Sequence, residues 1–400
     1  LEQQLAIFKP ELVGVTCMFT MTHSSFKAVC DYIGERNLPL AIGGVHITND
    51  FQAVLDDVPF ASFAFLREAE ISFRNFCCYV NGEKNRNNIR QLIVRDITTK
   101  SLTYFTQNAT PQPADLDVIP AYELIDLATL SDNGVMGNFY GFKSPDTRFA
   151  TMLSNRGCRA QCTFCSVRTF NGVGVRQRSI DSVIEEMKIL RFEHGIDHIV
   201  WLDDDLLKGN ARTLELFNRM IKENLGLTWD ATNGVIAASC KDEIVAAMAE
   251  SGCIALNIGM ESGNAKILRE VKKPGTPEVF IKAAEVLRRY PTIHSRVFLM
   301  IGFPNETMGM IGDTINVARQ MDLDWCSITT LQPLPNTPIY TSMVEQGLID
   351  DSNRGETRFN SGGFGKQNEI DRGDRLATLS FEEAFSGIQQ DAIPDENQLN

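Results

Sequence analysis

Four hundred residues exceed the usual size of one hydrophobic core, and 43% hydrophobic with 22% charged residues describe an ordinary globular chain of two or three domains. A formal net charge of −13 and a pI near 5.0 exclude a broadly basic nucleic-acid binder. Ten cysteines without a dense disulfide-like spacing fit a reducing, cytoplasmic compartment, and no apolar run approaches the ~20 residues of a membrane helix. The chain starts at Leu1 with no charged-then-apolar leader, so a signal peptide is not expected and an N-terminally truncated fragment is.

Residues 1–80 alternate strand and helix signals. Residues 11–17 have the pattern of a buried strand, 26–36 carry helical spacing, and 38–42 read as a second strand ending in Gly43-Gly44-Val45-His46. Residues 60–65 form a third strand, followed by Arg67-Glu68-Ala69-Glu70 and a helix through Tyr79. Short apolar strands joined by helices predict a parallel, Rossmann-like sheet, whose ligands bind at the carboxyl ends of its strands. Those ends carry Thr16, the Gly43–Gly44 pair, His46 and Glu68. A glycine pair there either lets the backbone approach a flat ligand or makes a tight strand-to-helix turn.

Residues 81–147 read as a connector, with a polar turn at 81–85, a hairpin pairing 91–95 with 101–105, and a proline-containing linker over 110–120. Residues 134–142, rich in glycine and aromatics, are either a substrate-side loop or an ordinary surface loop. Residues 148–340 then repeat strand and helix six times, with strands expected at 149–154, 198–203, 227–232, 254–260, 296–302 and 326–331. Six such units predict a partial (β/α)6 TIM-like barrel with its active residues at the strands' C-terminal ends. Residues 341–400 are expected to form a small cap and an acidic tail.

Directly after the first barrel strand stand Cys158, Cys162 and Cys165, at Cys-x3-Cys-x2-Cys spacing. Three thiolates on so short a loop can hold one face of an iron–sulfur cube and leave one iron open for catalysis. A zinc site and three buried structural cysteines are the other readings, although no Cys or His pair at finger spacing follows. Asp203-Asp204-Asp205 ends the second barrel strand; carboxylates can bind a metal, but strand alternation keeps all three from facing inward.

With Phe164 just before the third cysteine, the loop resembles the signature of the radical S-adenosylmethionine (radical SAM) enzymes. The resemblance implies a 4Fe-4S cluster on Cys158, Cys162 and Cys165, with S-adenosylmethionine chelating the unique iron through its amine and carboxylate. It implies one-electron cleavage of that molecule to a 5′-deoxyadenosyl radical, the electron coming from a donor such as flavodoxin or ferredoxin. Other strand ends match too. An acidic residue after the second strand, here Asp203 or Asp204, accepts hydrogen bonds from the methionyl amine in that family. Gly259-Met260-Glu261-Ser262-Gly263 resembles its Gly-x-Glu-Ser-Gly motif, implying Glu261 on the ribose hydroxyls or amine and Ser262 on the carboxylate. Gly302-Phe303-Pro304-Asn305-Glu306-Thr307 resembles Gly-Leu-Pro-Gly-Glu-Thr beside adenine, and residues 333–338 resemble Pro-x-Pro-Gly-Thr-Pro. Asn305 and Asn336 replace glycines there, a mild change because Asn tolerates the left-handed conformation.

Residues 1–80 resemble the later part of the cobalamin-binding domain that precedes many radical SAM barrels. This implies cobalamin as a further cofactor, with Thr16, Gly43, Gly44 and His46 lining the corrinoid or its nucleotide tail. The family's first strand has no counterpart here, and its Gly-Glu-Gly-Glu turn reads Arg67-Glu68-Ala69-Glu70. His46 is therefore expected as a turn or tail contact rather than an axial cobalt ligand. Arg176-Gln177-Arg178-Ser179 either matches a basic Arg-x-Arg-Ser feature of this branch or is a solvated arginine pair with Ser179 as a helix cap. The function this implies is C-methylation of a small-molecule or lipid-like substrate. The alternatives are a non-methylating radical cyclase, oxidase or rearranging enzyme, and a non-catalytic cluster- or corrinoid-binding protein.

Overall fold

Short runs of branched and aromatic residues, each followed by an amphipathic helix, assemble into two separate sheets. The structure is a computed structural model and describes residues 1–96, 98–133 and 147–349. The loop at 134–142 and most of the expected C-terminal cap and tail lie outside the described residues.

Helix α1 (Glu2–Phe8) precedes the first sheet, whose strands β1 (Val13–Thr16), β2 (Leu40–Gly43) and β3 (Ala61–Phe65) are parallel neighbours. Helices α2 (His23–Gly34) and α3 (Val45–Asp57) connect them, burying Ile33, Leu40, Ile42, Ile47 and Leu55. After α4 (Glu70–Val80), β4 (Leu92–Arg95) and β5 (Leu102–Phe105) form the expected hairpin. They do not stand apart as a connector, because β4 pairs antiparallel with β3 and completes the order β1-β2-β3-β4-β5. An isolated ribbon is marginal in water. Docking on β3 buries Leu92 and Ile93, so this α/β unit continues to Phe105.

Helix α5 (Leu127–Asn133) leads to β6 (Phe149–Met152), then to a small antiparallel ribbon of β7 (Asn155–Arg156) and β8 (Arg176–Gln177), with α6 (Val167–Asn171) between its strands. Five further units follow: α7 (Ile180–Phe192) and β9 (His198–Trp201), α8 (Asn210–Glu223) and β10 (Thr228–Val235), α9 (Asp242–Glu250) and β11 (Cys253–Glu261), α10 (Ala265–Glu270) with α11 (Pro277–Leu287) and β12 (His294–Ile301), α12 (Met308–Met321) and β13 (Trp325–Thr330). Helix α13 (Pro338–Glu345) closes the described chain. All six large strands are parallel, in the order β13-β12-β11-β10-β9-β6. This is the expected partial barrel, with Trp201, Phe217, Trp229 and Phe280 filling its core. No helix among the described residues is long and apolar enough to cross a membrane.

The two units meet through charge. Glu68, at the carboxyl end of β3, is buried and accepts hydrogen bonds from Arg156 at 2.9 Å and from Arg176 at 3.1 Å, both on the β7–β8 ribbon. Glu70 pairs with Arg156 as well. Arg178 instead pairs with the buried Glu186 of α7, and Ser179 caps that helix, accepting from the Ser182 amide at 3.2 Å. Neither arginine of the Arg-x-Arg-Ser stretch is a solvated charge. Glu68→Ala is expected to lower the unfolding free energy by about 3 kcal/mol, because it leaves the Arg176 guanidinium without its carboxylate and Arg156 with Glu70 alone. Urea denaturation followed by circular dichroism measures this, and a loss under about 0.5 kcal/mol would mean that the arginines find other partners.

Candidate active site

The cysteine loop is built by the chain leaving β6 through the ribbon and is fixed by backbone bonds to distant segments. The Thr163 amide donates to the Val271 carbonyl at 2.9 Å, and the Thr163 carbonyl accepts from the Ile339 amide at 3.1 Å. Phe164 packs on Phe303 with ring centroids 6.0 Å apart. Cys158, Cys162 and Cys165 thereby line one wall of a cavity of about 280 Å³, whose other walls include Phe164, Asp204 and Glu261. Residues from four strand ends therefore converge. Burial pushes all three thiols up, that of Cys162 to about 11. A bound metal must supply the drive for their deprotonation. The Ala160 amide already donates to the Cys158 sulfur at 3.4 Å.

Among the described residues, no three His, Cys, Asp or Glu side chains sit close enough to share one metal ion. Three thiols on one cavity wall match instead a cluster in which each iron takes its own thiolate. Residues 152–318 match the model of the Radical SAM superfamily. Residues 152–318 form a radical SAM domain. The chain is 26% identical over 348 residues to PH0819 of Pyrococcus horikoshii, described as an uncharacterized methyltransferase, covering 86% of this chain and 71% of that one. It is 27% identical over 380 residues to cytidylyl-2-hydroxyethylphosphonate methyltransferase of Streptomyces wedmorensis, covering 86% and 68%. Its fold matches that of the radical SAM methyltransferase TsrM from Kitasatospora setae, solved with cobalamin and a 4Fe-4S cluster. That match has a TM-score of 0.69 and 18% identity and covers 86% of this chain and 66% of TsrM.

A radical SAM enzyme uses a 4Fe-4S cluster and S-adenosylmethionine, and the donor set fits them. Three thiols face acceptors for an amine and hydroxyls in one cleft. Of the two aspartates left open by the motif, Asp204 lines this cavity and accepts from the Asn171 side chain at 2.9 Å; burial raises its carboxyl to about 6. Asp203 turns into the core, where it accepts from the Ser154 amide at 2.9 Å and hydroxyl at 2.6 Å, and burial raises it to about 7. Asp205 faces Arg159, Nε to Oδ2 at 3.0 Å. Asp203→Ala is accordingly expected to cost about 2 kcal/mol of stability and leave S-adenosylmethionine affinity unchanged, whereas Asp204→Asn does the reverse. Thermal unfolding and titration calorimetry read the two effects separately; weaker binding by the Asp203 variant alone would invert the assignment.

The remaining motif residues lie outside the thiol-lined cavity. Ser262 is buried 3.2 Å from the Thr314 hydroxyl of α12 and accepts from the Asn264 amide, so it fastens the turn. Glu306 closes its own turn, accepting from the Gly302 amide at 2.7 Å and the Phe303 amide at 3.3 Å. Pro304 borders a smaller cavity beside Thr163 and Val271. Asn305 and Asn336 take φ of 62° and 64°, the left-handed conformation expected of glycine substitutes.

At the first sheet's carboxyl face, Thr16 is exposed and Gly43 half-buried. Gly44 has φ 112°, and a Cβ there would lie 2.4 Å from the Cys17 carbonyl oxygen, so this glycine serves the chain's own turn. His46 is buried: its Nδ1 lies 3.1 Å from the Thr20 hydroxyl and its Nε2 2.9 Å from Nδ1 of His23, whose Nε2 meets Asp57 at 2.8 Å. Burial lowers His46 to about 3, so the ring is neutral with both nitrogens engaged. Coordination of a cobalt ion would have to break one of those bonds.

Sequence reasoning missed Lys273. It lines the cavity and holds Glu261, Nζ to Oε1 at 2.9 Å. Burial works against its charge, but Glu261 together with the nearby Cys162 and Cys165 raises the ammonium above its ordinary pKa. Its only local sign was a lysine pair before Pro274-Gly275, which periodicity does not interpret.

Proposed function

We propose that the chain is a cobalamin-dependent radical SAM C-methyltransferase of a small-molecule or lipid-like substrate, working in the cytoplasm with a flavodoxin- or ferredoxin-type electron donor. The observation that carries this is the Glu68 clamp, which ties the carboxyl face of the first sheet to the ribbon running into Cys158. Sites for two large cofactors on those two faces would thus open toward one another. When bound, the cluster with S-adenosylmethionine supplies hydrogen-atom abstraction, and cobalamin supplies a transferable methyl group.

The protein's own contribution is placement. Cys158, Cys162 and Cys165 provide the cluster's three thiolates; Asp204 and Glu261 accept from the amine and ribose hydroxyls. The turn at Gly302–Pro304 runs beside adenine. Residues 1–105 form the cobalamin part, with exposed Met18 and Phe19 next to Thr16 and Gly43 as an apolar strip for the corrinoid. Residues 148–340 form the barrel.

The test is anaerobic reconstitution with iron, sulfide and hydroxocobalamin, then addition of S-adenosylmethionine and a low-potential reductant, with products quantified by chromatography. 5′-Deoxyadenosine together with S-adenosylhomocysteine is the expected result. 5′-Deoxyadenosine alone would favour a non-methylating radical reaction. Neither product, despite an intact cluster, would overturn the catalytic reading.

A further inference from the structure

Two departures from regular strand geometry and one missing side chain converge on one ion pair in the cavity. Glu261 has φ 66°, in the left-handed region that non-glycine residues seldom occupy. The β11–β12 ladder shifts register between Gly259 and Glu261, a bulge that re-aims the side chain at the strand's end. Gly259 is not in a glycine-only conformation; a Cβ on it would lie 2.8 Å from Lys273 Nζ and 2.9 Å from Glu261 Oε1. The missing side chain makes room for the pair. Local strain of this kind persists only where the surroundings over-determine it, and it clusters at functional sites.

Lys273 and Glu261 line the same cavity as Cys158, Cys162 and Cys165, which brings the ammonium's charge to bear where the cluster would sit. The pair's side chains are only 14% and 13% exposed, so solvent screens this little. Arg168, the other cationic side chain lining this cavity, is turned to the Ala160 carbonyl at 3.3 Å.

Resting on the proposed function, we propose that Lys273 is a charge-compensating positioning residue for the iron–sulfur cluster, held in the thiol-lined cavity by Glu261 and the gap at Gly259. Cluster potentials depend on net charge, hydrogen bonding and exposure. The couple takes one electron from an external low-potential donor of flavodoxin or ferredoxin type, with no bond made or broken, and the site's negative charge grows by one. An ammonium fixed beside it favours that reduced state.

The experiment is a redox titration of the anaerobically reconstituted full chain, followed by electron paramagnetic resonance without S-adenosylmethionine. Lys273→Met is expected to keep the cluster absorbance and shift the midpoint potential to more negative values, and Lys273→Arg to restore most of the shift. An unchanged potential in Lys273→Met with its cluster intact overturns the proposal. Lys273→Gln is the second neutral variant. If neither neutral variant retains a cluster while Lys273→Arg does, the need for charge stands; if the arginine variant fails as well, the residue only packs the site and the proposal falls. Absence of a cluster in the unmodified chain would overturn the underlying functional reading, and this role with it.

Discussion

Replacing any one of Cys158, Cys162 and Cys165 with alanine is expected to abolish both the brown iron–sulfur absorbance and all cleavage of S-adenosylmethionine. Each thiolate would hold a different iron, so no neighbour could take over a lost corner. The other buried thiols are of no help: Cys240 and Cys253 lie in the barrel core, and Cys17 and Cys30 in the first sheet's core. The loss should be chemical and not structural. The loop is held by backbone bonds of Thr163 to Val271 and Ile339, which an alanine at the cysteine positions leaves in place. Stability of the cluster-free variants should therefore stay within about 1 kcal/mol of the unmodified chain, a ceiling typical of substitutions that create no large cavity. Absorbance after anaerobic reconstitution and chromatographic assay for 5′-deoxyadenosine check the two expectations. Full activity in any single variant would remove the cluster from the mechanism.

Glu261→Ala is expected to retain the cluster and to weaken S-adenosylmethionine binding by about 10- to 100-fold. That corresponds to a lost charge-assisted hydrogen bond of about 1.5–3 kcal/mol. The same change releases Lys273, whose carboxylate partner sits 2.9 Å away. Gly259→Ala offers an independent route to the same outcome, since its Cβ would collide with both members of the pair at 2.8 and 2.9 Å without removing either charge. Titration calorimetry on the reconstituted protein separates the cases: weakened binding in both variants supports the geometry, and unchanged affinity in Glu261→Ala would mean that another group meets the ribose or amine.

The amino-acid sequence by itself determined the architecture and the chemistry of the cysteine loop. Each barrel strand alternates with an amphipathic helix and is bounded by turn residues, so all six were legible, the exposed edge strand β13 included, and the cysteines follow the first of them. The left-handed Asn305 and Asn336 were legible for the same local reason, because a single residue's steric tolerance sets its φ. Only the tertiary structure decided which side chains meet. Asp203 and Asp204 are adjacent and chemically identical, yet one binds Ser154 in the core and the other lines the cavity. His46 looked like a ligand contact and is a member of a buried hydrogen-bonded chain. The β4–β5 hairpin was recognisable as a hairpin, but not as part of the first sheet. Glu68 reaches partners 88 and 108 residues away, and Lys273 meets Glu261 across α10. Spacing along the chain records local conformation and the face a residue presents, whereas the partner across a cavity or between sheets is selected by packing of distant segments, which leaves no period to read.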